Sequence, residues 1–283
     1  APARSRLAAP SMMHKQDGLT LPKNLRLPLT LAASTLALVA CGGGGGSAGD
    51  GDGGVNPPPP VLVDPDVAMR GFWAGPLTTA PDGATAASAV VMPDGTGWVV
   101  FENNTAATAV AKVSLTGEAV NATDATVTGS GFYFRLGDGV RSAISATGTA
   151  STAGTFSGTA IVGSAAATAF EWASVPGFTV QSLSIDVVGT WNGALGNAQV
   201  SWAIFSDGTL AGNGSNACSY AGTLRPATGT AVYDVSVTET CPTSQRVLSG
   251  IATLPAPKNV LRVVFTSNAN AQGGLLVLAK QSA

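Results

Sequence analysis

Gly71-Phe72-Trp73-Ala74-Gly75-Pro76-Leu77 and Gly189-Thr190-Trp191-Asn192-Gly193-Ala194-Leu195 are two versions of one heptapeptide, 118 residues apart. Further matches follow in the same order. Pro93-Asp94-Gly95-Thr96 aligns with Ser206-Asp207-Gly208-Thr209, Leu115-Thr116-Gly117 with Tyr220-Ala221-Gly222, and Phe156-Ser157-Gly158 with Leu248-Ser249-Gly250. The offset falls from 118 to 113, 105 and 92. Kept order with a shrinking offset reads as two copies of one module, the first with longer hairpins.

Within each copy, short strand-like runs recur every 8–15 residues. Asp-Gly turns punctuate them at Asp82-Gly83, Asp94-Gly95, Asp138-Gly139 and Asp207-Gly208. Asp-Gly suits a type I′ hairpin turn, in which both central residues need φ > 0. The second copy offers eight strands, at 186–194, 198–206, 208–213, 217–225, 230–239, 245–254, 259–267 and 273–280. Their faces alternate: Tyr233, Val235 and Val237 look one way, Asp234, Ser236 and Thr238 the other. No stretch carries the 3.6-residue periodicity of an amphipathic helix. Consecutive hairpins of eight strands without helices predict an all-β chain with two tandem up-and-down antiparallel barrels, because closure removes exposed strand edges. The alternative is an open sandwich. The expected boundaries are 67–180 for the first barrel and 181–283 for the second.

Upstream lies different material. Lys15, Lys23 and Arg26 precede an apolar run from Leu27 to Val39 that ends in small residues, the layout of a secretory signal over residues 1–40. The run is short for a membrane span and contains Pro28. Met12 or Met13 reads as the start of translation. Residues 41–66 form a Gly-rich and then Pro-rich tether that cannot bury a core. About 25 such residues reach about 28 Å as a coil.

The segment 1–40 holds five of the 14 basic residues (Arg4, Arg6, Lys15, Lys23, Arg26) and one of the 16 acids, Asp17. Nine basic and 15 acidic residues remain, a net charge of −6, which argues against a nucleic-acid partner. The single histidine, His14, lies in that segment too. The rest of the chain therefore has no Ser-His or Cys-His pair and no histidine ligand for a metal. Glu102, Glu118, Asp124, Glu171, Asp186 and Asp234 are carboxylates that no motif ties into pairs. Asp50-Gly51-Asp52-Gly53 lacks the remaining ligands of a calcium loop. Asn103-Asn104-Thr105 and Asn121-Ala122-Thr123 read as turns. A non-enzymatic protein without cofactor or metal is the expectation.

Leu38-Val39-Ala40-Cys41 resembles the lipobox of bacterial lipoproteins. The resemblance implies cleavage before Cys41, lipid on its sulfur, and an anchor in the membrane. Gly42 in place of Asp implies sorting to the outer membrane. In an oxidising envelope the two remaining cysteines, Cys218 and Cys241, are expected to pair. Their strand positions complicate this. If Arg225 faces Thr230 across the turn, Cys218 faces Val237 and Cys241 lies four residues on, about 13 Å away. A bridge then needs a bulge, a shifted register or a fold-back at Pro242.

Gly-x-Trp on a first strand is similar to the signature of the lipocalin and avidin barrels. Gly189-Thr190-Trp191-Asn192-Gly193-Ala194-Leu195-Gly196 followed by Ser206-Asp207-Gly208-Thr209-Leu210-Ala211-Gly212 resembles an avidin opening. In those families the tryptophan plugs one end of the barrel, a role this assigns to Trp73 and Trp191. The biotin-contacting Asn and Ser of avidin fall on Gly193 and Asn197, so the hydrogen bonds to biotin are not carried over. Three jobs stay open: a carrier of a small apolar ligand, a protease inhibitor or surface lipoprotein that binds a host protein, and a passive structural protein of the envelope surface. An open apolar mouth points to the first, an exposed apolar patch to the second.

Overall fold

The structure is a computed structural model, and it describes residues 60–78 and 80–282. The expected signal segment 1–40, Cys41 and most of the expected tether lie outside those residues.

Among the described residues, sixteen strands form two closed antiparallel barrels. The first is built from β1 (Gly71–Thr78), β2 (Ala86–Val91), β3 (Thr96–Glu102), β4 (Ala107–Ala119), β5 (Asp124–Arg135), β6 (Arg141–Ser151), β7 (Thr155–Val162) and β8 (Thr168–Val175). The second is built from β9 (Gly189–Leu195), β10 (Ala198–Ile204), β11 (Thr209–Gly214), β12 (Ser219–Pro226), β13 (Val232–Cys241), β14 (Ser244–Thr253), β15 (Val260–Ser267) and β16 (Gln272–Lys280). Each strand pairs with the next, and β8 returns to β1 and β16 to β9. Each barrel encloses its own apolar core. Inward residues alternate with outward ones, as with Val99 and Phe101 against Trp98 and Val100 on β3.

Two elements depart from the sequence expectation. A one-turn helix precedes each barrel: α1 (Pro65–Met69) and α2 (Ser184–Val187). Ordered structure therefore starts before residue 67, and the strand expected from 186 opens as helix. The Asp64 carboxylate caps α1 by accepting from the Asp66 amide at 3.0 Å, and Pro65 suits the first helical position. α1 lies against β4, β5 and β6 at one end of the first barrel. Gly117 leaves room for it, since a Cβ there would stand 2.7 Å from Pro65 and 3.2 Å from Met69.

The aligned heptapeptides do the same work in both copies. Gly71 and Gly189 turn the chain from helix into strand at φ 149° and 130°, a region that side chains disfavour. The indole then folds back. Trp73 Nε1 donates to the Met69 carbonyl at 2.8 Å and Trp191 Nε1 to the Val187 carbonyl at 2.7 Å. Both rings are buried. The Gly-x-Trp spacing thus places a helix-to-strand turn two residues before a buried indole that bonds back to the helix.

The other matches fare unequally. The Pro93 and Ser206 turns both join the second strand of a barrel to the third. Neither is type I′. In each, only the glycine has φ > 0, at 78° in Gly95 and 79° in Gly208. Its amide closes a four-residue turn on Met92 or Phe205. The Gly95 carbonyl accepts from the Leu115 amide and the Gly208 carbonyl from the Leu224 amide, both at 2.8 Å. Leu115 therefore corresponds to Leu224 and not to Tyr220. Phe156 lies on the seventh strand of its barrel and Leu248 on the sixth of the other, so that match is accidental.

The barrels pack on one another through a third apolar core. Trp98, Val100 and Phe134 from the outer face of the first meet Ile251 and Val264 from the outer face of the second. Phe134 is fully buried and lies over Gly273 of β16. The connection between the barrels is stitched to the β12–β13 loop. The Phe178 carbonyl accepts from the Ala231 amide at 2.7 Å, and the Ser182 amide donates to the Thr230 carbonyl at 2.8 Å. The Phe178 ring meets Phe72 edge-on at 5.3 Å.

Candidate functional site

The barrel interiors differ in how well they are filled. The second holds Trp191, Trp202, Tyr233, Leu248, Leu276 and Leu278, all fully buried. The first lines its wall with Ala87, Ala89, Ala109, Ala111, Ala125 and Ala150. Small side chains leave an apolar gap of about 50 Å³ among Val99, Phe101, Leu115, Phe156 and Phe170. Trp172 also lines it, and its indole N–H has no partner among the described residues. The gap is worth a few water molecules in volume, but an apolar wall does not hold water.

A larger space than this gap lies between the barrels. A cleft of about 250 Å³ is walled on one side by Phe72, Trp98 and Val100, and on the other by Ile251, Leu254 and Val264. Strand β3 makes its wall because Gly97-Trp98-Val99-Val100-Phe101 is apolar on both faces, one for the barrel core and one for the cleft. Ser88, Thr253 and Arg262 supply the polar atoms. Arg262 on β15 forms an ion pair with Glu102 on β3, and each side chain is about one-third exposed, at 33% and 32%. Lys112 sits over the Trp98 ring, its Nζ 5.1 Å from the centroid. Asp234, on the outer face of β13 beside Ile251, has its carboxyl pushed above the ordinary Asp range, first by partial burial and then by the charge of Asp94. The arrangement can bind. Among the described residues it holds no nucleophile with an adjacent base.

A second polar cluster sits inside one end of the second barrel. Cys218 and Cys241 are bonded, with Cα atoms 4.0 Å apart. The observed register sets Ser219 opposite Thr240, which places the two cysteines directly across from each other. The Arg225–Thr230 pairing is corrected accordingly: Arg225 faces Asp234. The turn is longer than four residues because Thr230 and Ala231 give their backbone groups to the connection between the barrels. Glu239 is 3% exposed beside the disulfide. It accepts from Tyr220 Oη at 2.8 Å and pairs with Arg246, which reaches Gln272 at 2.8 Å. Burial, and then the bond to Glu239, push the Tyr220 hydroxyl far up. The carboxylate and the two sulfurs lie within 4.8 Å of one another, but bonded cysteines offer no thiolate to a metal.

The remaining candidates are dispersed. Asp186 pairs with Lys258 at 2.8 Å. Asp124 is held low by hydrogen bonds, first from Ser151 and then Asn121. Glu118 and Glu171 are exposed. Asn103 and Asn121 cap tight turns, as expected: Asn103 Oδ1 accepts from the Thr105 amide at 2.9 Å and Asn121 Oδ1 from the Thr123 amide at 2.7 Å. Sequence reading passed over Glu239, although the alternation of Tyr233, Val235 and Val237 extends onto it. It also treated Glu102 as one more scattered carboxylate, and gave Trp98 and Val264 no second partner.

No family model matches the chain, and no curated protein or solved structure matches it.

Proposed function

We propose that this protein is a cell-envelope lipoprotein, anchored to the outer membrane through lipid on Cys41, that acts as a non-enzymatic binder of a small apolar ligand in the cleft between its barrels. The observation that carries the reading is the cleft itself. It is apolar, open, several times larger than the gap inside the first barrel, and walled by rigid strands from both copies. A carrier of the lipocalin or avidin kind uses its barrel lumen. Here the lumens are small or filled, so the space between modules is the better place for a ligand. The absence of histidine after residue 14 and the lack of any paired carboxylate motif support binding over catalysis.

Titration calorimetry of the full chain with phenylpropanol tests the reading. Saturable, stoichiometric binding is expected. Ser88→Trp and Thr253→Trp, which fill the cleft from opposite walls, should each abolish it. Unsaturable uptake, or binding untouched by both variants, refutes the assignment. The anchor is tested separately: Cys41→Ser should abolish labelling by a radioactive fatty acid and leave the unprocessed chain.

A further inference from the structure

We infer that the ligand of the inter-barrel cleft is an apolar carboxylic acid whose carboxylate is held by Arg262, an inference that rests on reading the cleft as the binding site. Arg262 is the charged side chain in the cleft lining. A guanidinium carries five N–H donors in a planar fork. One of them, on Nη2, goes to Glu102 Oε1 across the two barrels. The other four meet no acceptor among the described residues. Glu102 therefore orients the fork without saturating it. The side chain is 33% exposed, so water reaches those donors in the free protein and an oxygen of a ligand in the cleft can take its place.

A carboxylate fits this group best. It is planar, carries two acceptor oxygens, and can take two parallel charge-assisted N–H bonds from one guanidinium. Glu102 shares the guanidinium with the ligand and so weakens its hold on the carboxylate without removing the free N–H donors. A cationic ligand would face Arg262, the charged side chain of the lining. A neutral hydroxyl could accept one bond and gain no charge. Size narrows the class further. At about 250 Å³ the cleft lies below the ~300 Å³ where pockets for drug-sized ligands begin, so the apolar part is a ring with a short chain or a short alkyl group. Trp98, Ile251 and Val264 give it flat and branched apolar surface to lie on.

Phenylpropanoate, phenylpropanol and phenylpropylamine differ only in their head group, and calorimetry of all three against the full chain reads the inference directly. The acid should bind at least about tenfold tighter than the alcohol, and the amine weakest of the three. Arg262→Gln should weaken the acid at least about tenfold more than it weakens the alcohol, bringing the two to similar affinity. Glu102→Gln frees the fork and should tighten the acid, the opposite of what general damage to the barrel contact would do. Equal binding of acid and alcohol overturns the carboxylate assignment and leaves the cleft reading standing. Failure of all three to bind removes the cleft reading and this inference with it.

Discussion

Gly273 is where the packing of barrel on barrel can be tested with a single methyl group. A Cβ at this position would stand 2.4 Å from Cδ2 and Cγ of Phe134 and 2.8 Å from its Cβ. Carbon atoms rest about 3.5 Å apart or more, so the ring must retreat by about 1 Å. It has nowhere to go: Phe134 is fully buried among Trp98, Ile251 and Val264, and its own strand is paired on both sides. Overpacking of this kind costs about 1–3 kcal/mol. Gly273→Ala should therefore move the urea midpoint down by about 0.3–1.5 M, taking a slope of about 2–3 kcal/mol/M for a chain of this size. Phe134→Ala should also destabilise, by about 3–5 kcal/mol, through the void it leaves. The double variant decides the matter. The new methyl partly fills the new void, so the two costs should fall short of additivity by about 1 kcal/mol or more. Additive costs, or a neutral Gly273→Ala, would show that the two barrels do not pack through this contact.

Trp73→Ala and Trp191→Ala should each cost about 3–5 kcal/mol in calorimetric stability, and the matching Phe variants about 1 kcal/mol for the lost indole bond plus a packing term; a large difference between the two sites would refute their equivalence. Thiol titration of denatured, unreduced protein should find no free thiol at Cys218 or Cys241, and reduction, which opens a loop spanning 23 residues, should lower stability by about 3 kcal/mol. Alkaline pH should unfold the protein. Tyr133, Tyr220 and Tyr233 all have folded-state pKa values raised by burial, Tyr233 to about 12, against about 10 in the unfolded chain. Their contribution is intact below pH ~10 and is lost as pH climbs from there through the folded values, so tyrosinate absorbance should rise cooperatively with loss of structure and not before it.

Much of the fold was legible because its signals are local. The eight strands of the second copy follow from alternation and turn signals such as Asp207-Gly208, and their bounds agree with the structure to within a few residues. The helices did not show, because five and four residues are too few for a 3.6-residue period to declare itself. The cysteine register was misplaced for a nonlocal reason: residues 227–232 are held open by bonds to Phe178 and Ser182, some fifty positions earlier. The cleft was not read from the sequence. The run 97–101 is apolar throughout, a pattern that suits a strand covered on both faces, but the sequence reading made nothing of it, and nothing in the run says that the second cover is the other barrel. Glu102 and Arg262 stand 160 residues apart, and no spacing rule connects them.

Barrel closure also sets an order of events. Strand β1 can take its second partner only when β8 arrives about a hundred residues later, and β9 must wait in the same way for β16. A chain delivered from its N-terminal side thus carries an unpaired β1 edge for most of the synthesis of the first module, the condition in which strands recruit wrong partners. The second module repeats the exposure. The contact surface of Trp98, Val100 and Phe134 stays bare even longer, since it is covered only once β14 to β16 exist. The slow step in assembling this molecule is expected to be the last one, in which one strand closes the second barrel and completes the seat for the first.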